Sequence, residues 1–115
     1  MTTTVKMWNG CRSYTWSTGT PDKCFYQDLQ AFVLRPYGYT GAIDGVMGNG
    51  SWKALQRMLN AGGWNAGTVD GVPGYQTKTA LQRMLRAHSY KGAIDGVLGA
   101  GTYKAWANYV LGAQN

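Results

Sequence analysis

The sequence predicts a small all-α protein: a bundle of about four short helices joined by three similar Asp-Gly loops, with an irregular N-terminal segment. Three observations carry this. The phrase AIDGVMG at 42–48 recurs as TVDGVPG at 68–74 and AIDGVLG at 93–99, so Asp44, Asp70 and Asp95 stand 26 and 25 residues apart. With the chain aligned on those aspartates, a hydroxyl falls seven residues on (Ser51, Thr77, Thr102) and an alanine ten on (Ala54, Ala80, Ala105). The segment after each hydroxyl then spaces its apolar residues at i, i+3, i+4, as an amphipathic helix does. A unit of this size cannot bury its apolar stripe alone, so neighbouring units must share one core. The expected division is an irregular segment over 1–22 and the repeat-containing domain over 23–115.

Residues 1–20, MTTTVKMWNGCRSYTWSTGT, fall outside the repeat but contain Trp8, Tyr14 and Trp16. Such aromatics suit an extended strap or short hairpin lying across the bundle. Cys11 and Cys24 are the two cysteines. Their spacing allows a local disulfide stapling this segment, and two reduced thiols are the alternative.

The first helix is expected in KCFYQDLQAFVL, with Leu29, Phe32 and Val33 as its stripe. It carries Leu29-Gln30, matching Leu55-Gln56 and Leu81-Gln82, and Leu29 precedes Asp44 by 15 residues as Leu55 precedes Asp70. The first loop follows as Tyr39-Gly41-Ile43-Asp44-Gly45, then Gly48. Aspartate before glycine is turn chemistry: the carboxylate accepts from backbone amides two residues on, and glycine takes up positive φ. The flanking Ile43 and Val46 are expected to plug the core. The second helix, SWKALQRMLN, offers Ser51 as N-cap and Leu55, Met58 and Leu59 as stripe. The second loop runs Trp64-Gly67-Val69-Asp70-Gly71, then Gly74. The third helix, TKTALQRMLR, follows with Thr77 as N-cap and Leu81, Met84 and Leu85 inward. The third loop, Tyr90-Gly92-Ile94-Asp95-Gly96, then Gly99, leads to TYKAWANYVL, with Thr102 as cap and Trp106, Tyr109 and Val110 inward. Pro21, Pro36 and Pro73 all sit in loops or at element starts.

At 115 residues the chain suits one domain. Its formal charge is +6, and all five acidic residues are aspartates. A basic surface fits nucleic acid, phospholipid or an anionic cell-wall polymer, but the cations are scattered, so charge alone selects none of them. No apolar run is long enough to span a bilayer, and the first ten residues lack the apolar centre of a signal peptide. The expectation is synthesis in a cytoplasm, or a piece cut from a longer chain.

Several chemistries fit poorly. An EF-hand needs alternating oxygen ligands and a closing glutamate, whereas GVMGNGS follows Asp44 and the chain has no glutamate. Zinc would need more than one histidine, His88, and two cysteines without partners at ligand spacing. His88, near a helix end, suits a dipole partner better than a ligand. Glycoside hydrolysis needs a carboxylate pair, and three of the five aspartates occupy equivalent turn positions. A triad needs a histidine base with an orienting acid, and no G-x-S-x-G elbow is present. No catalytic residue, metal or cofactor is expected, and Asp44, Gly45, Gly48, Asp70, Gly71, Gly74, Asp95, Gly96 and Gly99 are read as structural loop residues.

LQAFVLRPYGYTGAIDGVMGNGSWKALQRMLNAGG resembles the peptidoglycan-binding domain type 1 family, whose hallmark is an LQ-containing helix, a Gly-Tyr-type approach and an (I/V)-D-G-x-x-G-x-x-T loop. LQRMLNAGGWNAGTVDGVPGYQTKTALQRMLRAHSYKGAIDGVLGAGTYKAWANYV resembles it again, so the similarity covers roughly residues 25–112. Departures are Ser51 for threonine, Pro73 in the second loop, and Trp106-Ala107 in place of Leu-Gln, which suits an atypical last repeat. The resemblance implies a small all-α binding module without catalysis of its own. Such modules hold cell-wall hydrolases, phage endolysins among them, on peptidoglycan. It implies as partners peptidoglycan or an attached anionic wall polymer, together with a catalytic lysin domain or subunit, and action at the bacterial wall after synthesis in a host cytoplasm. On that reading aromatic rings stack on sugar faces and cations pair with carboxylates or phosphates. The candidate ligand-binding residues are Tyr39, Trp64 and Tyr90 in the loops, Trp52, Lys78 and Tyr103 in the first helical turns, and Arg57 and Arg83 off the apolar stripes. Each has a plainer alternative as core cap or solvated surface. The competing functions are a structural or protein-interaction module of a phage or bacterial surface assembly and, less well matched, nucleic-acid binding, whose basic stripe or reading motif is missing.

Overall fold

The computed structural model describes residue 14, residues 16–17 and residues 20–112 of the chain. Two two-residue strands, β1 (Trp16–Ser17) and β2 (Thr20–Pro21), pair antiparallel with Trp16 opposite Pro21. Then come α1 (Lys23–Asp28), α2 (Asn49–Ala61), α3 (Tyr75–Arg86) and α4 (Ala100–Gly112). The helices close a ring in which α2 packs on α3, α3 on α4, and α4 back on α1, with β2 lying against α1 and α4. Among the described residues no helix is long and apolar enough to cross a membrane.

The core is the set of stripes the spacing predicts. Leu55, Leu59, Leu81, Leu85 and Val110 are fully buried, with Met58 and Met84 beside them. Trp106 fills the seam between α4 and α1, edge-on to Phe25 at 5.3 Å between ring centroids. Tyr109, expected inward, is only half-buried, and the His88 ring meets it edge-on. Ahead of α1, Tyr14 donates from its hydroxyl to Asp28 Oδ2 at 2.6 Å and meets Phe25 edge-on. Cys24 is disulfide-bonded, while Cys11 lies outside the described residues.

Three expectations are corrected. The first helix does not remain α-helical. After Asp28 it widens into a π-helical stretch, Leu29–Leu34, marked by the Arg35 N–H reaching back five residues to Gln30 O, and then tightens into a 3-10 turn, Arg35–Tyr37. The wider turn shifts the inward face, so Leu34 is fully buried and Phe32 only partly. Pro36 supplies no N–H to continue the ladder, and Gly38 closes the turn at φ +92°.

The helix starts also differ. Gly48 and Gly74 are the N-caps of α2 and α3, so Ser51 and Thr77 lie inside the first turn, where both are buried. Thr102 sits equivalently in α4, whose Tyr103 N–H bonds Gly99 O. Finally, the valines after the Asp-Gly pairs do not plug the core. Val46, Val72 and Val97 are 60–64% exposed. Met47, Ile94 and Leu98, all half-buried, pack against the core instead. The reason lies in how each valine's carbonyl is held.

Candidate functional site

Each loop is held by a glutamine from the helix before it. Gln30, Gln56 and Gln82 are at most 1% exposed, although glutamine ordinarily stays in water. Their burial is offset by complete pairing. The Oε1 of each accepts the N–H of the loop glycine: Gly45 at 2.9 Å, Gly71 at 2.9 Å and Gly96 at 2.8 Å. The Nε2 donates to the valine carbonyl, at 2.8 Å to Val46, 3.1 Å to Val72 and 2.9 Å to Val97. It also reaches the hydroxyls of Ser51, Thr77 and Thr102 and Oδ1 of Asp44, Asp70 and Asp95. Because the valine carbonyl turns inward to the amide, the valine side chain turns outward.

The aspartate completes the turn. Oδ1 of Asp44, Asp70 and Asp95 accepts from the N–H of Val46, Val72 and Val97 at 3.0, 2.9 and 3.0 Å. Gly45, Gly71 and Gly96 sit at φ +75°, +77° and +75°. Their missing side chains also make room for the first helical residues above them, Lys23 over Gly45, Asn49 over Gly71 and Tyr75 over Gly96.

These bonds favour the charged carboxylate. The Val46 N–H first, then the Gln30 amide, hold Asp44 below the usual aspartate range; Val72 and Gln56 do so for Asp70. For Asp95 the Gln82 amide comes first and the Val97 N–H second. A carboxyl whose pKa is lowered on folding stabilises the fold fully above its unfolded value, about 3.9, and loses that contribution as pH falls through the lower folded value. Thermal stability is therefore expected to fall away below about pH 4 as the three turns protonate. Asp95→Asn keeps an oxygen acceptor and removes the charge, so it should melt below wild type at pH 7, converge with it in acid, and show a shallower acid limb. An acid limb of unchanged steepness would mean that Asp95 contributes nothing to it.

Beside the first and third loops lie two open grooves built from the same positions. One, of about 400 Å³, runs between Tyr39–Asp44 and the start of α2, and is lined by Gly38, Tyr39, Thr40, Gly48, Gly50, Ser51 and Arg57 among others. The other, of about 450 Å³, is lined by Ser89, Tyr90, Lys91, Gly99, Gly101, Thr102, Lys104 and Asn108 among others. Each has a tyrosine ring on one side, glycine backbone on the other, and cationic side chains at the edge: Arg57 in the first, Lys91 and Lys104 in the second. The tyrosines are pinned. Tyr39 donates its hydroxyl to Ala42 O, and Tyr90 donates to Ala93 O at 2.7 Å. A glycine-walled groove with a fixed ring can stack a sugar face or an acyl group, offer backbone polar groups to amides, and attract carboxylates.

The candidate ligand-binding residues are thus divided. Tyr39, Arg57 and Tyr90 line the grooves, with Tyr90 only 9% exposed and part of the core cluster. Arg57 also donates to Tyr37 O at 3.0 Å, and Arg83 to Trp64 O at 3.0 Å, so both arginines brace the loop ahead of their helix. Trp64 starts its loop as the tyrosines do, its N–H bonding Leu59 O as Tyr39 bonds Leu34 O and Tyr90 bonds Leu85 O. Its ring, however, folds back over Gly62. Trp52 and Tyr103 pack against Trp106, Tyr103 stacked on it at 5.9 Å. Burial, and then its hydrogen bond with Tyr103, push Tyr26 above the usual phenol range. Lys78 is half-buried and lines neither groove. Sequence reasoning missed the groove residues Thr40, Ser89, Lys91, Lys104 and Asn108, which have no common chemistry to mark them. It also missed the role of the three glutamines, for which a signal existed: Gln30, Gln56 and Gln82 precede their aspartates by 14, 14 and 13 residues. Among the described residues no group of three or more metal-ligating side chains comes together.

A family model described as a peptidoglycan binding domain matches residues 48–105, about half of the chain, from the last glycine of the first loop into α4. No curated protein and no solved structure matches the chain.

Proposed function

The chain belongs to the peptidoglycan-binding domain family, and from that premise we propose that it is a non-catalytic wall-binding module that carries a peptidoglycan hydrolase, a phage endolysin in particular, to its substrate. The observation that supports this most is the pair of glycine-walled grooves at Tyr39 and Tyr90. They combine an aromatic face with polar backbone and cations, the chemistry that glycan strands and acidic stem peptides call for. The loops that build them resemble one another, so a polymer with a short repeat can meet similar contacts more than once. Catalysis would belong to a hydrolase domain or subunit joined to or recruited by this module, acting at the cell wall.

The test is cosedimentation with purified sacculi, before and after stripping of secondary polymers. Retention on both preparations is expected. Retention only before stripping would move the ligand to the anionic secondary polymer. A protein left in the supernatant with every wall preparation would end the wall-binding reading in favour of a structural or interaction module. Fusion to a lysin catalytic domain should raise lysis of intact cells over the catalytic domain alone, and no gain would remove the targeting role.

A further inference from the structure

The middle loop departs from its neighbours at two positions that touch. Trp64 opens the middle loop as Tyr39 and Tyr90 open theirs, but one more residue separates it from its aspartate, so Asn65 stands five residues before Asp70; six residues after the aspartate, Gly50 and Gly101 are replaced by Gln76. Gln76 is the second residue of α3, as Gly50 is of α2 and Gly101 of α4. Its Nε2 donates to Asn65 O at 3.3 Å and Asn65 Oδ1 at 3.4 Å, so its side chain crosses from the helix to the loop. Its Oε1 lies over Gly67 as the tyrosine hydroxyls lie over Gly41 and Gly92, although Gly67 alone of the three has a positive φ, +83°. A Cβ on Gly41 or Gly92, three residues before the aspartate, would run into the hydroxyl of Tyr39 or Tyr90, and a Cβ on Gly67 would run into Oε1 of Gln76. At Gly50 and Gly101 an added Cβ would meet only ring carbons of Tyr39 or Tyr90, the nearest at 3.8 Å, and the Tyr90 ring is itself only 9% exposed.

We infer that this module grips its polymer at two points, the grooves at Tyr39 and Tyr90, and that Gln76 closes the equivalent place between them. The inference rests on the peptidoglycan reading above. Two weak grooves on one rigid body bind a polymeric mesh far more tightly than either alone, because the second engagement is intramolecular. The mesh presents its repeat in many orientations, so the grooves need not face one direction.

The native middle loop supplies its own test. Gly50→Gln and Gly101→Gln plug the outer grooves as Gln76 plugs the middle, at helical positions where a Cβ makes only ordinary contacts and glutamine is the better helix former. Thermal melts should therefore match wild type. In cosedimentation with purified sacculi, each single plug should weaken binding by on the order of 10²-fold and the double plug should reduce it to background. Single plugs that halve capacity at unchanged affinity would show two independent sites and overturn the joint grip. A double plug that binds as wild type would overturn the grooves while leaving peptidoglycan binding standing; wild type that fails to bind would remove that reading and this inference with it. Should a plug variant melt early, Lys91→Ala combined with Lys104→Ala decides: both side chains are exposed and line the Tyr90 groove, so the pair should weaken binding by about tenfold with the melt unchanged, and unchanged binding counts against the inference.

Discussion

Replacing Gln56 with methionine is expected to cost about 3–5 kcal/mol of folding stability, lowering the melting temperature by on the order of 15–25 °C. Methionine fills much of the same space without polar atoms, so the loss is of pairing and not of volume. Gln56 Oε1 accepts from the N–H of both Asp70 and Gly71, and its Nε2 donates to Val72 O, Thr77 Oγ1 and Asp70 Oδ1. Of these partners Gly71 and Thr77 are themselves buried. Each buried group left unpaired costs about 1–3 kcal/mol, and the turn that leads into α3 loses its anchor. Since a domain of this kind has only about 5–15 kcal/mol in total, urea denaturation should show the variant near the edge of folding. A midpoint shift under about 1 kcal/mol would mean that the loop holds itself and the glutamine is a passenger. The last helix offers a natural comparison. Ala107, buried beside Trp106, occupies the place that glutamine holds in the earlier helices.

The second large effect is expected at Gly71. Alanine there meets two penalties. The backbone sits at φ +77°, and the new Cβ would run into the Asn49 side-chain amide and lie 2.8 Å from the Asn49 carbonyl oxygen. A flexible side chain could yield, but the backbone oxygen opens α2 and cannot move without disturbing that helix. Gly63 separates the two penalties, with φ +82° and nothing within 4 Å of an added Cβ. Gly63→Ala should cost about 1–2 kcal/mol, the left-handed backbone alone. Gly71→Ala should cost about 3–4 kcal/mol, the difference reporting the close approach of helix to loop. Equal costs in paired thermal melts would show that the first helical residue does not press on the turn. The Asn49 amide also donates to Asp70 O at 3.1 Å, so the clash would break a bond as well as strain a chain.

Much of this was legible in the sequence. Leu55, Met58 and Leu59, and Leu81, Met84 and Leu85, were marked as inward by spacing alone, and all six are buried. A helix with one apolar stripe has one way to face a core, so period determines orientation. The aspartate bonds and positive-φ glycines lie within two residues of each other, and contacts that local follow from residue type. Periodicity places Phe32 inward because it assumes an α-helix throughout, whereas the helix that α1 begins widens over Leu29–Leu34. Val46, Val72 and Val97 were misplaced because hydrophobicity points inward by default, while a buried amide 15–16 residues earlier in the chain claims their carbonyls. Trp64 and the tyrosines align in sequence as loop aromatics, yet the middle loop has one more residue before its aspartate and carries Gln76 across it, so the rings part company.

The sequence by itself determined the number of helices, their inward faces, the three turns and the family, because each depends on spacing within about 25 residues that any reader can align. Only the tertiary structure decided what the repeated Leu-Gln is for, which loop residues meet solvent, and which of the eight candidate side chains share a groove. Those answers depend on side chains 13–21 residues apart arriving at one point. The physical reason is the buried glutamine. A polar group enters a core only when all its partners are waiting there, and those partners are assembled by the packing of one helix on the next loop.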